Sequence, residues 1–168
     1  GDGAKGIVWA HNTHIGDARA TDMARANMIN IGQLAREQYG NDQVYLAGFG
    51  SYEGTVIAGD EWGAPMQEME VPPARQGSVE HALHRESPRN RYLLFSEEEQ
   101  RDIYSGPIPH RAIGVVYAPE RERYGNYVTS VLPERYDAFI YLDQTKALHA
   151  MNLKPNNEQL PETYPFGY

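Results

Sequence analysis

His11 and His14 stand three positions apart, directly after the apolar run Ile7-Val8-Trp9-Ala10. Imidazole is the side chain best suited to proton transfer or metal ligation near neutral pH. Two imidazoles on one loop can act as a general base, stabilise an oxyanion, or ligate a metal. The spacing leaves these roles open. It also leaves open a purely structural arrangement, with one ring solvated and the other bonded to a backbone carbonyl. His81 and His84 repeat the spacing on an expected helix, where three positions place two residues on adjacent ridges. Their flanks, Glu80 and Arg85, read as a solvated face. His110 and His149 read as surface histidines.

The glycine-rich stretch Gly48-Phe49-Gly50-Ser51-Tyr52-Glu53-Gly54 is the second place where chemistry could gather. It lacks the Lys-Ser/Thr end of a phosphate loop. Ser51 also lacks the flanking glycines of a nucleophile elbow. A glycine-permitted cleft wall is the better reading, with Asn12, Ser51 and Glu53 as substrate-binding candidates. Asp17, Glu53, Asp137 and Asp143 lie near expected strand ends, where any one of them could orient a histidine.

These residues need elements to hold them. The run Ile7–Ala10 reads as a buried strand covered on both faces. It would deliver the histidine loop at its C-terminal end, where open α/β sheets place their ligand crevices. Helical periodicity follows through Met28, Ile31, Leu34 and Ala35, with Asn27 as a cap and Gly40 as the stop. Gly32 inside that helix costs about 1 kcal/mol against alanine, which calls for close packing. Strands are expected at 44–50, 66–71, 92–95, 112–117 and 136–142, with residues 51–58 as a return strand or loop. Ser78 caps a short helix to Glu86, Ser96 to Glu99 open another, and 145–151 form a helical turn. The fold class is therefore α/β, a mostly parallel sheet of four or five strands with helices on both faces.

Composition excludes several functions. The 168 residues suffice for one domain with a core. A net charge of −8 argues against nucleic acid and against a polybasic membrane surface. With no cysteine, thiolate nucleophiles, disulfides and thiolate metal sites are excluded, which fits a cytoplasmic protein. No apolar run reaches bilayer-spanning length.

Several motifs in one order resemble the erythromycin esterase family. They are Trp9-Ala10-His11-Asn12-Thr13-His14, Leu34-Ala35-Arg36-Glu37-Gln38-Tyr39-Gly40 and Gly50-Ser51-Tyr52-Glu53-Gly54-Thr55. Gly77-Ser78-Val79-Glu80 with Leu83-His84 follows, then Arg111-Ala112-Ile113-Gly114-Val115-Val116-Tyr117 and Tyr136-Asp137-Ala138-Phe139-Ile140-Tyr141. The resemblance spans about residues 5 to 150. It implies a hydrolase without a serine nucleophile, one that opens esters or macrolide lactones by activating water. It also implies that His11 and His14 belong to the catalytic site and that no cofactor is needed. The family's base lies in a Gly-Glu-x-x-His-Gly motif, which this sequence does not contain.

The expectation is thus the C-terminal portion of an erythromycin-esterase-like hydrolase, spanning residues 1–151 with an extended or disordered tail at 152–168. A fragment of this kind would be inactive alone. It would expose an apolar face and either self-associate or take a companion chain that completes the domain. Two alternatives stand beside it: a non-catalytic binding module that keeps the fold, and a metal-dependent hydrolase using the same histidines.

Overall fold

The computed structural model describes residues 3–148. Short helices α1 (Asn12–Ile15) and α2 (Ile31–Tyr39) lead into strands β1 (Ala47–Ala58) and β2 (Gln67–Val71). Then come α3 (Val79–Glu86), β3 (Arg91–Leu94), α4 (Glu98–Ile103) and β4 (Ile108–Arg111). The order closes with α5 (Glu122–Gly125), β5 (Tyr127–Ser130), α6 (Leu132–Arg135) and β6 (Ala138–Thr145).

Four strands form one sheet in the order β2-β1-β6-β3, and β4 pairs with β5 in a separate ribbon. The sheet is mixed, not mostly parallel: β1 and β6 run parallel, and β2 and β3 add antiparallel at the two edges. The expected parallel majority fails because the expected strand at 44–50 begins only at Ala47 and does not break at Gly50: Ala47–Ala58 is one long strand. Its second half turns back directly into β2, as an antiparallel pair allows. Residues 112–117 do not form the expected strand. Ile108–Arg111 pairs instead, and only an isolated bridge joins Val116 to Gly59.

The largest departure is at Ile7–Ala10. The segment forms no strand, and Ile7 and Trp9 are 93% and 87% exposed. Its apolar sequence has the composition of a buried strand, but no described strand lies beside it to pair with. Only Trp9 finds an aromatic neighbour, Phe49, with ring centroids 5.9 Å apart.

Local chemistry explains the elements that formed. α2 begins at Ile31, and the Asn30 side chain, not Asn27, accepts from the Gln33 amide. Asn27 instead takes a left-handed conformation that closes a 3-10 turn. Gly40 stops the helix at φ +85°. Ser78 caps α3 by accepting from the His81 amide. Gly32 lets α2 touch the residues after α1: a Cβ there would sit 2.1 Å from the Ile15 carbonyl oxygen.

The core lies on one face of the sheet, where Val79 and Leu83 of α3 meet Leu93, Tyr136, Phe139 and Tyr141. Gly48 and Gly50 of β1 make room for Tyr136 and Phe139, whose rings would lie under 3 Å from an added Cβ. Phe49 and Ser51 alternate to the other face. There they line an open groove of about 1400 Å³ with Ile140 and Leu142, and α2 stands at its margin. The expected helical turn at 145–151 is strand at Thr145 and irregular from Lys146 to Leu148, the rest of it lying outside the described residues. His149 and the expected tail also fall outside them.

Candidate functional site

His11 is the N-cap of α1, so its ring is committed to the turn it opens. Its Nδ1 accepts from the Thr13 amide (3.3 Å) and hydroxyl (2.8 Å). Its Nε2–H donates to the Ile113 carbonyl at 2.6 Å, since a carbonyl only accepts. Burial pushes this imidazole below its ordinary value and outweighs the Ile113 bond; His14, His110 and Arg135 push the same way. His11 is therefore the neutral Nε2–H tautomer near pH 7.

His14, one turn on, is exposed, and its ring nitrogens have no hydrogen-bond partner among the described residues. The two rings meet edge to face with centroids 6.3 Å apart. His11 and Asn12 line the groove, whereas His14 stands outside it.

Asn12 fixes this turn to the sheet. Its Oδ1 accepts from the Phe49 amide at 3.0 Å, and its Nδ2 donates to the Phe49 carbonyl at 2.5 Å. This two-point clasp occupies the edge of β1 that β6 leaves free. Two residues on, Arg111 takes over the same edge. Its Nη1 donates to the Ser51 and Tyr52 carbonyls (2.8 and 2.7 Å), and its Nη2 to the Pro72 carbonyl at 2.7 Å. Glu122 neutralises this guanidinium at 2.9 Å, with Tyr117 and Tyr127 donating hydroxyl protons to the same carboxylate. Side chains thus do the work of a missing neighbour strand.

The substrate-binding candidates divide. Asn12 and Ser51 face the groove, Ser51 through a side chain with no hydrogen bond of its own. Glu53 is not brought to the histidines; it accepts from Gln144 across the β1–β6 pair at 3.1 Å. The carboxylates divide too. Asp17 holds Arg19 through two bonds (2.9 and 2.7 Å) and lies 3.4 Å from Arg36. Burial raises its carboxyl, but the Arg19 bonds and the Arg36 charge bring it below the ordinary value. Asp137 holds Arg36 at 2.9 Å. Of the four carboxylates expected near strand ends, Asp143 alone orients a histidine, at 2.8 Å from His84 Nδ1, and Tyr52 stacks on that imidazole with centroids 3.6 Å apart.

Two residues read as surface groups prove to be the most buried titratable pair. Glu80 and His110 are both 0% exposed, with His110 Nδ1 2.7 Å from Glu80 Oε1. The expectation failed because each was judged by its charge and its neighbours in sequence, while the partner lies 30 positions away. One signal was present: Glu80 falls between Val79 and Leu83, on the apolar side of α3. Burial alone would raise the Glu80 carboxyl, but the bonds from His110 and the Arg111 amide hold it below its ordinary value. Among the described residues no three His, Asp or Glu side chains gather closely enough to hold a metal ion.

Two solved structures share this fold. One, a succinoglycan biosynthesis protein, aligns with a TM-score of 0.63 at 19% identity, over 83% of this chain and 33% of that one. The other, a protein from Bacillus cereus, aligns with a TM-score of 0.66 at 16% identity over the same shares. The chain thus spans about a third of the length of the structures it matches. The family model for erythromycin esterase matches residues 1–145, nearly the whole described region, and the chain belongs to that family.

Proposed function

We propose that this chain carries part of the site of a water-mediated ester or lactone hydrolase, with His11, Asn12 and His14 as its share of the machinery. One observation carries the reading: a single turn presents two imidazoles of opposite character. His11 is locked neutral at the groove margin with its Nε2–H on a carbonyl. His14 is open to solvent 6.3 Å away, with both nitrogens uncommitted. A free imidazole of this kind positions or deprotonates a water, and the His11 ring, its single N–H spent on Ile113, holds the turn that presents it. Asn12 and Ser51 supply polar contacts in a groove whose sheet face carries Phe49, Ile140 and Leu142, with Lys5, Asp42 and Lys146 also on its lining, which suits an apolar acyl or macrocyclic substrate that bears polar groups.

The groove is open along its length, and the chain covers a third of its solved neighbours. The reading therefore includes a companion polypeptide, or a second copy, that closes the groove and supplies the remaining base. The test is hydrolysis of a panel of p-nitrophenyl esters and macrolactones, by the chain and by any longer protein that carries it. His14→Ala lowers kcat/KM by about 100-fold or more on this reading. Equal rates in His11→Ala, His14→Ala and the parent would remove both residues from the mechanism, and no turnover by any of these proteins would favour the non-catalytic binding module.

A further inference from the structure

We propose that Glu80 and His110 are a buried positioning pair: they aim the Asn12 amide, and through it the turn that carries His11 and His14. The proposal rests on reading that turn as the functional site, but its geometry stands independently.

The pair is costly where it lies. Both side chains are fully buried among Tyr136 and Phe139, whose rings meet the His110 ring edge-on at 5.9 and 5.1 Å. Glu80 Oε2 has no partner among the described residues. A buried pair with an orphaned carboxylate oxygen is poor stabilisation, and apolar residues of similar volume commonly serve a core as well or better. Its place in the core calls for another role.

The far side of the imidazole supplies one. With Nδ1–H donated to Glu80, His110 Nε2 is an acceptor. Two donors face it at 3.4 Å: the Tyr136 hydroxyl and the Asn12 Nδ2 amide. Asn12 carries two Nδ2 protons. One goes to the Phe49 carbonyl and the other is turned toward His110, which leaves Oδ1 for the Phe49 amide. The acceptor at His110 thus favours the same orientation of the Asn12 amide as the Phe49 clasp, and a flipped amide would lose both Phe49 bonds and face His110 Nε2 with an oxygen. Asn12 is the first residue of α1, and its carbonyl accepts from Gly16 N at 3.0 Å and Arg135 Nη2 at 3.2 Å. An error in its side chain is therefore passed to the whole turn. The chain of bonds runs from Arg111 N through Glu80, His110 and Asn12 to the β1 edge, with His11 as the neighbouring cap.

The pair can be replaced without leaving a lone buried charge. In Glu80→Leu/His110→Phe both polar partners go together, an exchange that is often neutral or stabilising. Isotope-labelled protein then gives two readouts that need no substrate. These are the NMR titration of the His11 ring and hydrogen exchange at the Phe49 amide, referenced to the Leu46 amide. The double variant folds, its Phe49 exchange rises about tenfold relative to Leu46, and its His11 midpoint moves up toward 6.5. His110→Gln, whose amide oxygen can accept from Asn12, keeps the Phe49 exchange near the parent value. A folded double variant with unchanged Phe49 exchange and an unchanged His11 titration overturns the proposal. So does a double variant that cannot fold, which would make the pair a core brace, and so does His110→Gln behaving like the double variant. Failure to find any hydrolysed ester would strike the proposed activity and leave these readouts as they are.

Discussion

His11 has a titration that reports directly on the fold. The unfolded chain takes up a proton at the ordinary value of 6.5, whereas burial keeps the folded ring neutral to lower pH. Between those two values the unfolded state binds more protons, so acidification favours unfolding. The contribution is complete above pH 6.5 and is lost as the pH falls through the window toward the lower folded value. His11→Asn keeps an N-cap acceptor and removes the titration. Thermal unfolding of the parent is expected to weaken more steeply from pH 7 to pH 5 than that of His11→Asn. Parallel curves would show that the ring is not held neutral. Single residues of this kind were half legible. The sequence picks out His11 and His14 because their types are chemically marked and adjacent. It hides Glu80 and His110 because a carboxylate finds its imidazole across 30 positions, a pairing that spacing along one element cannot express.

The elements were legible where local chemistry decides them. Asn30, Gly40 and Ser78 act on their own helix ends, and α2 and α3 follow. Gly32 shows the same logic extended to packing. Alanine there gains about 1 kcal/mol of helix propensity but drives a methyl into the Ile15 carbonyl at 2.1 Å. Overpacking against backbone costs about 1–3 kcal/mol. Gly32→Ala is therefore expected to lower the urea midpoint, and a raised midpoint would show that α1 and α2 can separate freely. Arg111 is the corresponding test for β1. Its fork meets three carbonyls and the Glu122 carboxylate at once, a geometry that a lysine ammonium cannot reproduce. Arg111→Lys is expected to cost about 3 kcal/mol in denaturant unfolding, the scale of a broken buried ion pair. A loss below about 1 kcal/mol would mean the free edge of β1 holds without it. Ile7–Ala10 marks the limit of this legibility. An apolar run states that a segment is suited to burial, but a neighbouring strand must be present to bury it.

At the scale of the molecule, one sheet face is packed and the other is a groove with Phe49 38% exposed and Ile7, Val8 and Trp9 standing free beside it. Contiguous apolar surface of this kind marks an interaction site. The chain is expected to bind a hydrophobic dye in its native state and to sediment as a concentration-dependent oligomer. Phe49→Glu is expected to shift it toward monomer while leaving the packed face intact. Monodisperse sedimentation of the parent as a monomer at all concentrations, without dye binding, would remove the need for a cover on the groove. No helix among the described residues is long and apolar enough to cross a membrane.

The strand order has a bearing on time as well as on shape. β6, the last described strand, lies between β1 and β3, and the backbone bond at its start, from the Asp137 amide to the Leu46 carbonyl, joins residues 91 positions apart. Closing so long a loop must precede any return from the contacts it makes, so this sheet assembles slowly compared with one built from neighbouring hairpins. Until β6 arrives, β3 has no hydrogen-bonded neighbour and β1 has only β2 along its second half. A ribosome therefore has to release residues through about Thr145 before the centre of the sheet can exist. In that interval the groove side and the core side of β1 are equally bare, which is when a chaperone would find this chain.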